Sequence, residues 1–160
     1  MKFTHKLIAT AALATLGTSA FAQAGETVKI AYVDQAHSNI DQEKTIWQNF
    51  SDEQELVLMG GREVNSRAYL SRFNFSGGEQ NKKVKLLSGG ERNRLHLAMT
   101  LKEEGNVLLL DEPLAAQDVE STNRIIELLK AAAKAGKTII LVAHVPESEL
   151  SWCDQIIKNF

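Results

Sequence analysis

The sequence has 160 residues, of which 44% are hydrophobic and 24% are charged, and its formal net charge at pH 7 is −2. This length fits one domain of ordinary size, and the composition excludes a disordered chain. The lack of a basic excess argues against a general nucleic-acid-binding protein. A single cysteine, Cys153, excludes an intrachain disulfide, and four scattered histidines give no sign of a zinc site.

The N-terminal segment has the features of a secretory signal. Two lysines precede an uncharged run over residues 7–16, and Ala20-Phe21-Ala22 is the small-x-small pattern that signal peptidase cleaves. The sequence therefore predicts a signal peptide over residues 1–22 and no membrane span after its removal. An uncleaved anchor is the alternative, but the polar residues between positions 10 and 23 disfavour burial in hydrocarbon.

Apolar periodicity and turn residues predict the elements of the first half. A strand is expected over residues 28–33, short helices over 43–50 and 65–73, and turns at 60–61 and 76–78. Ser88 and Glu91 have the spacing of a capping box, so a helix is predicted to begin there. Gly105 is expected to end that helix as a left-handed cap.

The second half alternates strands and helices. Residues 107–110 are fully apolar, which is typical of a strand that is covered on both faces of a parallel sheet. A helix follows over residues 119–134, capped by Asp118 and closed by Gly136. Further strands are predicted over residues 138–143 and 155–160. This order indicates an α/β domain with a parallel sheet.

Two short segments carry possible site chemistry. Asp111 and Glu112 follow the apolar strand, where α/β sheets place ligand-binding groups, and a carboxylate there can hold Mg²⁺. Residues 88–90, Ser-Gly-Gly, open a helix, so their backbone N–H groups and the helix dipole suit an anion. The structural alternatives are two solvated acids and an ordinary helix cap.

The sequence contains no G-x-x-x-x-G-K-[ST] phosphate loop. Gly136-Lys137-Thr138 looks like the end of such a loop, but Ala131 stands where the first glycine is required. A phosphate loop also leads from a strand into a helix, whereas here a predicted helix leads into a predicted strand. We therefore interpret this segment as a glycine cap and a strand start.

Residues 87–91, LSGGE, and residues 107–113, VLLLDEP, resemble the signature and Walker B motifs of ABC ATPases. Between about residues 28 and 113, the segments YVDQ, KTIWQNF, SRAYLSRFNF and LSGGERNRLHLA resemble ABC-F proteins of the energy-dependent translational throttle type. That family usually continues T-N-D-L-D, whereas residues 114–118 are LAAQD, and residues 114–160 resemble a transporter-type ABC subunit. The first 34 residues are similar to the start of an exported solute-binding protein, so we interpret the chain as a composite.

The resemblance implies an incomplete P-loop-NTPase-like parallel sheet with flanking helices over residues 23–160. Within it, residues 28–50 would form the Q-loop strand and helix, 51–105 the signature region, and 106–160 the Walker B to H-loop core. The nominal cofactors are ATP and Mg²⁺. The residues implied are Glu112 and His144 for catalysis, Asp111 and Gln35 for the metal, and Gln35, Ser88, Gly89, Gly90, Glu91 and Asp118 for the nucleotide.

The implied partner is a second ABC domain or a second copy of the chain, because the family's signature loop contacts a nucleotide held by the opposite domain. A ribosome contact is suggested by the ABC-F resemblance but is not expected of so truncated a chain. Without a phosphate loop the isolated chain is predicted not to hydrolyse ATP. The alternative is an exported solute-binding-like or structural α/β domain with relic ABC motifs.

Two expectations conflict with each other. The signal directs export to the periplasm, whereas ATP is supplied in the cytoplasm, where the chain would stay if the signal were not read. The missing phosphate-loop strand also predicts a sheet with a gap or an exposed edge, which invites aggregation.

Overall fold

The computed structural model describes residues 7–11, 28–33, 40–103 and 105–158, and these form an α/β structure. In chain order the elements are β1 (Leu7–Ala11), β2 (Ile30–Val33), α1 (Ile46–Ser51), β3 (Leu56–Met59), β4 (Arg62–Asn65), α2 (Ser66–Ser71), α3 (Gly89–Lys102), β5 (Val107–Asp111), α4 (Val119–Lys134), β6 (Thr138–Ala143) and β7 (Gln155–Lys158). Short 3₁₀ turns lie at Glu79–Asn81, Val84–Leu86 and Glu147–Leu150. No helix within these ranges is long and apolar enough to cross a bilayer.

The main sheet has five strands in the order β2-β5-β6-β1-β7. Strands β2, β5 and β6 are parallel, as predicted. Their central residues are apolar because helices and loops cover the sheet. The fully buried side chains of β5 and β6 are Leu108, Leu110, Ile139 and Leu141.

Strand β1 lies between β6 and β7 in the sheet. It runs antiparallel to both of its neighbours, with Leu7 opposite Ala143 of β6 and Lys158 of β7. Strand β7 joins the sheet through β1. The five residues of β1 belong to the uncharged run of the predicted signal peptide, whose cleavage site lies outside the described residues. The signal peptide therefore stays a prediction.

The opposite side of the sheet has the exposed edge that was expected. Strand β2 hydrogen-bonds β5 on one side, and within the described residues no strand covers its other side. Ala31 is buried, whereas Ile30 is 65% exposed.

The segment between β2 and α3 forms a small helical subdomain with its own aromatic cluster. Tyr69 stacks on Phe50 and contacts Phe73, with both ring-centroid distances at 5.2 Å. Burial raises the pKa of Tyr69 to about 12. The Trp47 indole donates a hydrogen bond to Ser66 Oγ (2.9 Å), which ties α1 to α2.

The hairpin β3–β4 was not predicted, although its turn was. Gly60 and Gly61 have φ values of 57° and 74°, which suit a two-residue hairpin turn in which both central residues have positive φ. The strands on either side are four residues long, and β3 is apolar throughout although Leu56 and Leu58 are exposed, so its sequence does not alternate between apolar and polar residues.

The predicted boundaries were confirmed for α4, whereas the predicted end of α3 was wrong. Helix α4 and its Asp118 cap are confirmed, and Gly136 follows the helix with φ 93°. The predicted left-handed cap at Gly105 is wrong, because α3 ends at Lys102 and Glu103 continues in an extended conformation. Gly105 instead lies against β2, where an added Cβ would be 2.8 Å from the Ala31 Cβ.

Candidate functional site

The acidic pair Asp111–Glu112 lies at the carboxyl end of β5, as predicted. Strand β6 runs parallel beside it, with Val142 opposite Asp111. The Glu112 N–H donates a 2.8 Å hydrogen bond to the Val142 carbonyl. His144 follows β6, so the parallel register brings the predicted catalytic pair Glu112 and His144 to one edge of the sheet.

Glu112 and His144 are in direct contact. The Nε2 atom of His144 is 3.2 Å from Oε1 of Glu112, and the side chains are 38% and 27% exposed, respectively. Glu112 also has a φ of 50°, the left-handed region that non-glycine residues rarely adopt. Such strained backbone is concentrated at functional sites. A partly exposed carboxylate beside an imidazole can orient a water molecule.

Asp111 fits the metal role that the sequence suggested. Its Oδ1 atom is buried and has no hydrogen-bond partner within the described residues. A buried polar atom without a partner requires an explanation, and a bound ion is one such explanation. Mg²⁺ is commonly held by one or two carboxylates together with phosphate oxygens and water. A single aspartate is therefore compatible with it, although the described residues include no cluster of three metal-binding side chains.

Residues 88–90, hereafter the signature turn, form the N-terminus of α3. Ser88 caps the helix by accepting from the Glu91 N–H (3.2 Å), while Glu91 Oε2 accepts from the Ser88 N–H (2.6 Å). The predicted capping box is thus confirmed. Both the hydroxyl and the amide of Ser88 are therefore engaged within the chain.

The two glycines of the signature turn have different surroundings. A Cβ built at Gly89 meets nothing within 4 Å, so this side of the turn is open. A Cβ at Gly90 would overlap the carbonyl oxygen of Ala116, which itself has a φ of 57°. The segment of residues 112–118, hereafter the acidic loop, therefore packs directly against the signature turn.

Glu91 is held as a carboxylate by its neighbours. Partial burial raises its pKa, but hydrogen bonds from Ser88 and from the Lys82 ammonium outweigh burial, and the pKa of Glu91 lies below its usual value. The Lys82–Glu91 contact is 3.0 Å. These contacts account for Glu91 without a ligand, and its assigned nucleotide role stays a prediction.

Asp118 is likewise engaged in the fold. Its carboxylate accepts from the Ser121 N–H (2.8 Å) and from the Ser121 hydroxyl (3.0 Å), which caps α4. The backbone hydrogen bond from Ser121 is the main reason that the pKa of Asp118 is lowered. Gln35, the other residue predicted to bind metal and nucleotide, lies outside the described residues.

Lys137 is held by contacts within the chain. Its ammonium donates to the carbonyls of Gly105 (2.6 Å) and Glu103 (3.2 Å). The chain runs from α4 into β6 at this point, as the sequence predicted.

Sequence analysis missed Gln117 and Arg94, which connect the signature turn to the acidic loop. Arg94 Nη1 donates to Gln117 Oε1 (3.0 Å), and Gln117 Nε2 donates to the Gly90 carbonyl (2.9 Å). Two signals in the sequence could have indicated them. A glutamine stands where the T-N-D-L-D pattern has leucine, and an arginine interrupts the apolar face of α3.

The chain matches the ABC transporter family over residues 14–115. It is 56% identical over 97 residues to the energy-dependent translational throttle protein EttA of Mycobacterium tuberculosis, covering 61% of this chain and 17% of that protein. It is 37% identical over 121 residues to the ATP-binding protein Uup of Buchnera aphidicola, covering 75% of this chain and 20% of that protein. The chain thus spans a fifth or less of the length of these relatives.

The structure is similar to that of MJ0796, an ATP-binding cassette described as a dimer in a post-hydrolysis state bound to ADP and Pi. The TM-score is 0.61 at 23% identity, covering 82% of this chain and 64% of that one. A second dimeric structure of MJ0796 gives a TM-score of 0.58 at 22% identity. These similarities concern the fold. Because the family match covers most of the chain and includes both the signature turn and the acidic pair, the chain belongs to the ABC transporter ATPase family.

Proposed function

We propose that this chain is an ABC-type ATP-binding module that offers its signature turn to a triphosphate held by a second ABC domain, and that these 160 residues alone do not hydrolyse ATP. The observation that carries the proposal is the contact between Gly90 and the Ala116 carbonyl. That contact lies between the N-terminus of α3 and the loop that begins with Glu112, and a helix N-terminus suits an anion.

The expected lack of hydrolysis rests on phosphate binding. A triphosphate is held by a ring of main-chain N–H groups together with a lysine, and the sequence has no G-x-x-x-x-G-K-[ST] run that would form this ring. The glycine-lysine-threonine segment at 136–138 leads from a helix into a strand, and its lysine is bound to two carbonyls. A nucleotide bound here would lack its principal donors.

The acidic pair would act on a nucleotide that a partner supplies. Asp111 would hold Mg²⁺, which neutralises phosphate charge when it is bound. Glu112, supported by the adjacent His144 imidazole, would orient or deprotonate a water molecule. Gln35 is proposed to act beside them, on the strength of the family resemblance.

The proposed partner is a complete ABC domain or a second copy of the chain. The family membership and the dimeric cassettes of the same fold support this choice. The ATP requirement also favours the cytoplasm as the working compartment. The role in translation that the name of EttA states belongs to a much longer protein, of which the match covers 17%.

One observation favours a second candidate, a structural or exported α/β domain with relic ABC motifs. The polar groups of Ser88, Glu91 and Asp118 all have partners within the chain, so the fold alone accounts for these residues. An exported protein would begin at Gln23 after cleavage. N-terminal sequencing of protein purified from cells tests whether the chain is exported, because β1 is kept only if residues 1–22 remain.

Thermal unfolding of the full chain with MgATP, with and without a complete ABC ATPase domain, tests the proposal. We expect MgATP alone to leave the midpoint unchanged and MgATP with the partner to raise it. A free ligand concentration of one hundred times Kd corresponds to a stabilisation of about 2.7 kcal/mol. A partner domain whose own phosphate-loop lysine is replaced is the control and should give no shift. The absence of any ATP-dependent shift in either arrangement would refute the proposed function.

A further inference from the structure

We infer that Gln117 is a positioning residue that locks the signature turn to the acidic loop. The inference builds on the proposed function, because it assigns Gln117 a role in presenting that turn to a nucleotide. Gln117 lies in the acidic loop, and its side chain contacts residues of α3 that are distant in sequence.

The Gln117 amide makes hydrogen bonds in two directions. Its Nε2 atom donates to the Gly90 carbonyl (2.9 Å) and makes a longer contact with the Ala115 carbonyl (3.4 Å). Its Oε1 atom accepts from Arg94 Nη1 (3.0 Å). Gln117 belongs to the acidic loop, and both polar atoms of its side-chain amide make hydrogen bonds to residues near the start of α3.

Arg94 fixes the orientation of that amide. The guanidinium has only N–H donors, so the amide oxygen must face it and the amide NH₂ must face the Gly90 carbonyl. Arg94 is only 9% exposed, and its Nη1 also donates to Ser121 Oγ (3.1 Å). Ser121 in turn bonds the Asp118 carboxylate, so the charge of the buried guanidinium is connected to an anion through one hydroxyl.

Close packing adds to these hydrogen bonds. Gly90 is in contact with the Ala116 carbonyl, and the Asn93 amide approaches the Ala115 carbonyl at 3.5 Å. The signature turn and the acidic loop therefore form one unit, and Gln117 supplies the polar contacts at its centre. Leucine, which the T-N-D-L-D pattern has at this position, fills a similar volume but can neither accept from Arg94 nor donate to Gly90.

Gln117→Leu in the full chain tests the link directly by hydrogen exchange. We expect the amides of residues 91–94 to exchange roughly five-fold faster or more, as the loss of the Gly90 and Arg94 bonds implies. Gln117→Glu keeps the acceptor for Arg94 and loses the donor to Gly90, so residues 91–94 should loosen while Ser121 and Thr122 exchange as in the wild type. Val119→Ala, at a neighbouring side chain that is 79% exposed, is the matched control.

ATP-dependent association with a complete ABC domain provides the functional measurement. Gln117→Leu should weaken that association by roughly five-fold or more, whereas Val119→Ala should leave it unchanged. Unchanged exchange in Gln117→Leu overturns the inference. Faster exchange with unaltered association overturns the nucleotide-positioning role. If the wild-type chain does not associate at all, the proposed function fails, and the exchange result still decides whether Gln117 holds the turn.

Discussion

Gly89 and Gly90 are neighbours in the signature turn, yet only at Gly90 would an added Cβ meet the acidic loop. Gly90→Ala places a methyl group against the Ala116 carbonyl, and we expect it to cost about 1–3 kcal/mol of unfolding free energy, as overpacking does. Gly89→Ala is the matched control and should cost much less, because the space around Gly89 is open. Urea unfolding of both variants measures the difference. Equal losses would contradict the packing described for the turn.

Glu91 makes the stability of α3 sensitive to acid. Its pKa in the folded chain lies below the value of 4.5 that it has as a free side chain. Its contribution to stability is therefore fully present above that value and is lost as the pH falls through the lower folded pKa. Gln at this position can still accept from the Ser88 N–H but does not titrate.

We therefore expect Glu91→Gln to be less stable than the wild type at pH 7, because it loses the Lys82 ion pair, and to lose less stability on acidification. The comparison is a series of thermal melts between about pH 5 and pH 3. Parallel pH profiles for the two proteins would show that the capping carboxylate does not contribute to acid sensitivity.

The roles of residues were predictable where the interacting residues are close together in sequence. Asp111 and Glu112 follow a recognisable apolar strand, and Ser88 and Glu91 lie within one helical turn, so local spacing identified them. Gln117 and Arg94 are 23 residues apart, and their contact depends on how α3 packs against the acidic loop. Tertiary contacts of this kind leave no periodic signal.

At the scale of elements, long apolar patterns gave correct boundaries. Helix α4 and strand β6 have the bounds that periodicity predicted, because each buries a continuous face. The hairpin β3–β4 was missed because its strands are short and partly exposed. Gly105 was misinterpreted because a glycine after a helix has two possible uses. Here it allows close approach to Ala31 rather than a left-handed cap.

Strand β1 gives the element-scale prediction. Thr10 lies opposite Ile140 of β6 and Gln155 of β7, so a proline there removes a backbone donor between two strands. We expect Thr10→Pro to lower the unfolding free energy by roughly 1–3 kcal/mol. Thr10→Val keeps the backbone N–H and is the control. If the unfolding curves of the two variants coincided, β1 would not form part of the sheet.

The whole molecule combines a family-typical sheet with an unexpected strand. The parallel strands β2, β5 and β6 place the acidic pair and His144 at one edge, and the sequence predicted that arrangement. The insertion of β1 could not be predicted, because an uncharged run near an N-terminus also has the pattern of an export signal. Only the partner strands β6 and β7, more than 120 residues away, give it the alternative conformation.

The central claim is that the phosphate-binding ring for ATP must come from another domain. ATP turnover by the purified full chain, measured alone and then with Glu112→Gln, tests it most directly. The account predicts no turnover above the buffer rate for either protein. Turnover by the isolated chain that disappears in Glu112→Gln would contradict it, because the chain would then hold a triphosphate by itself.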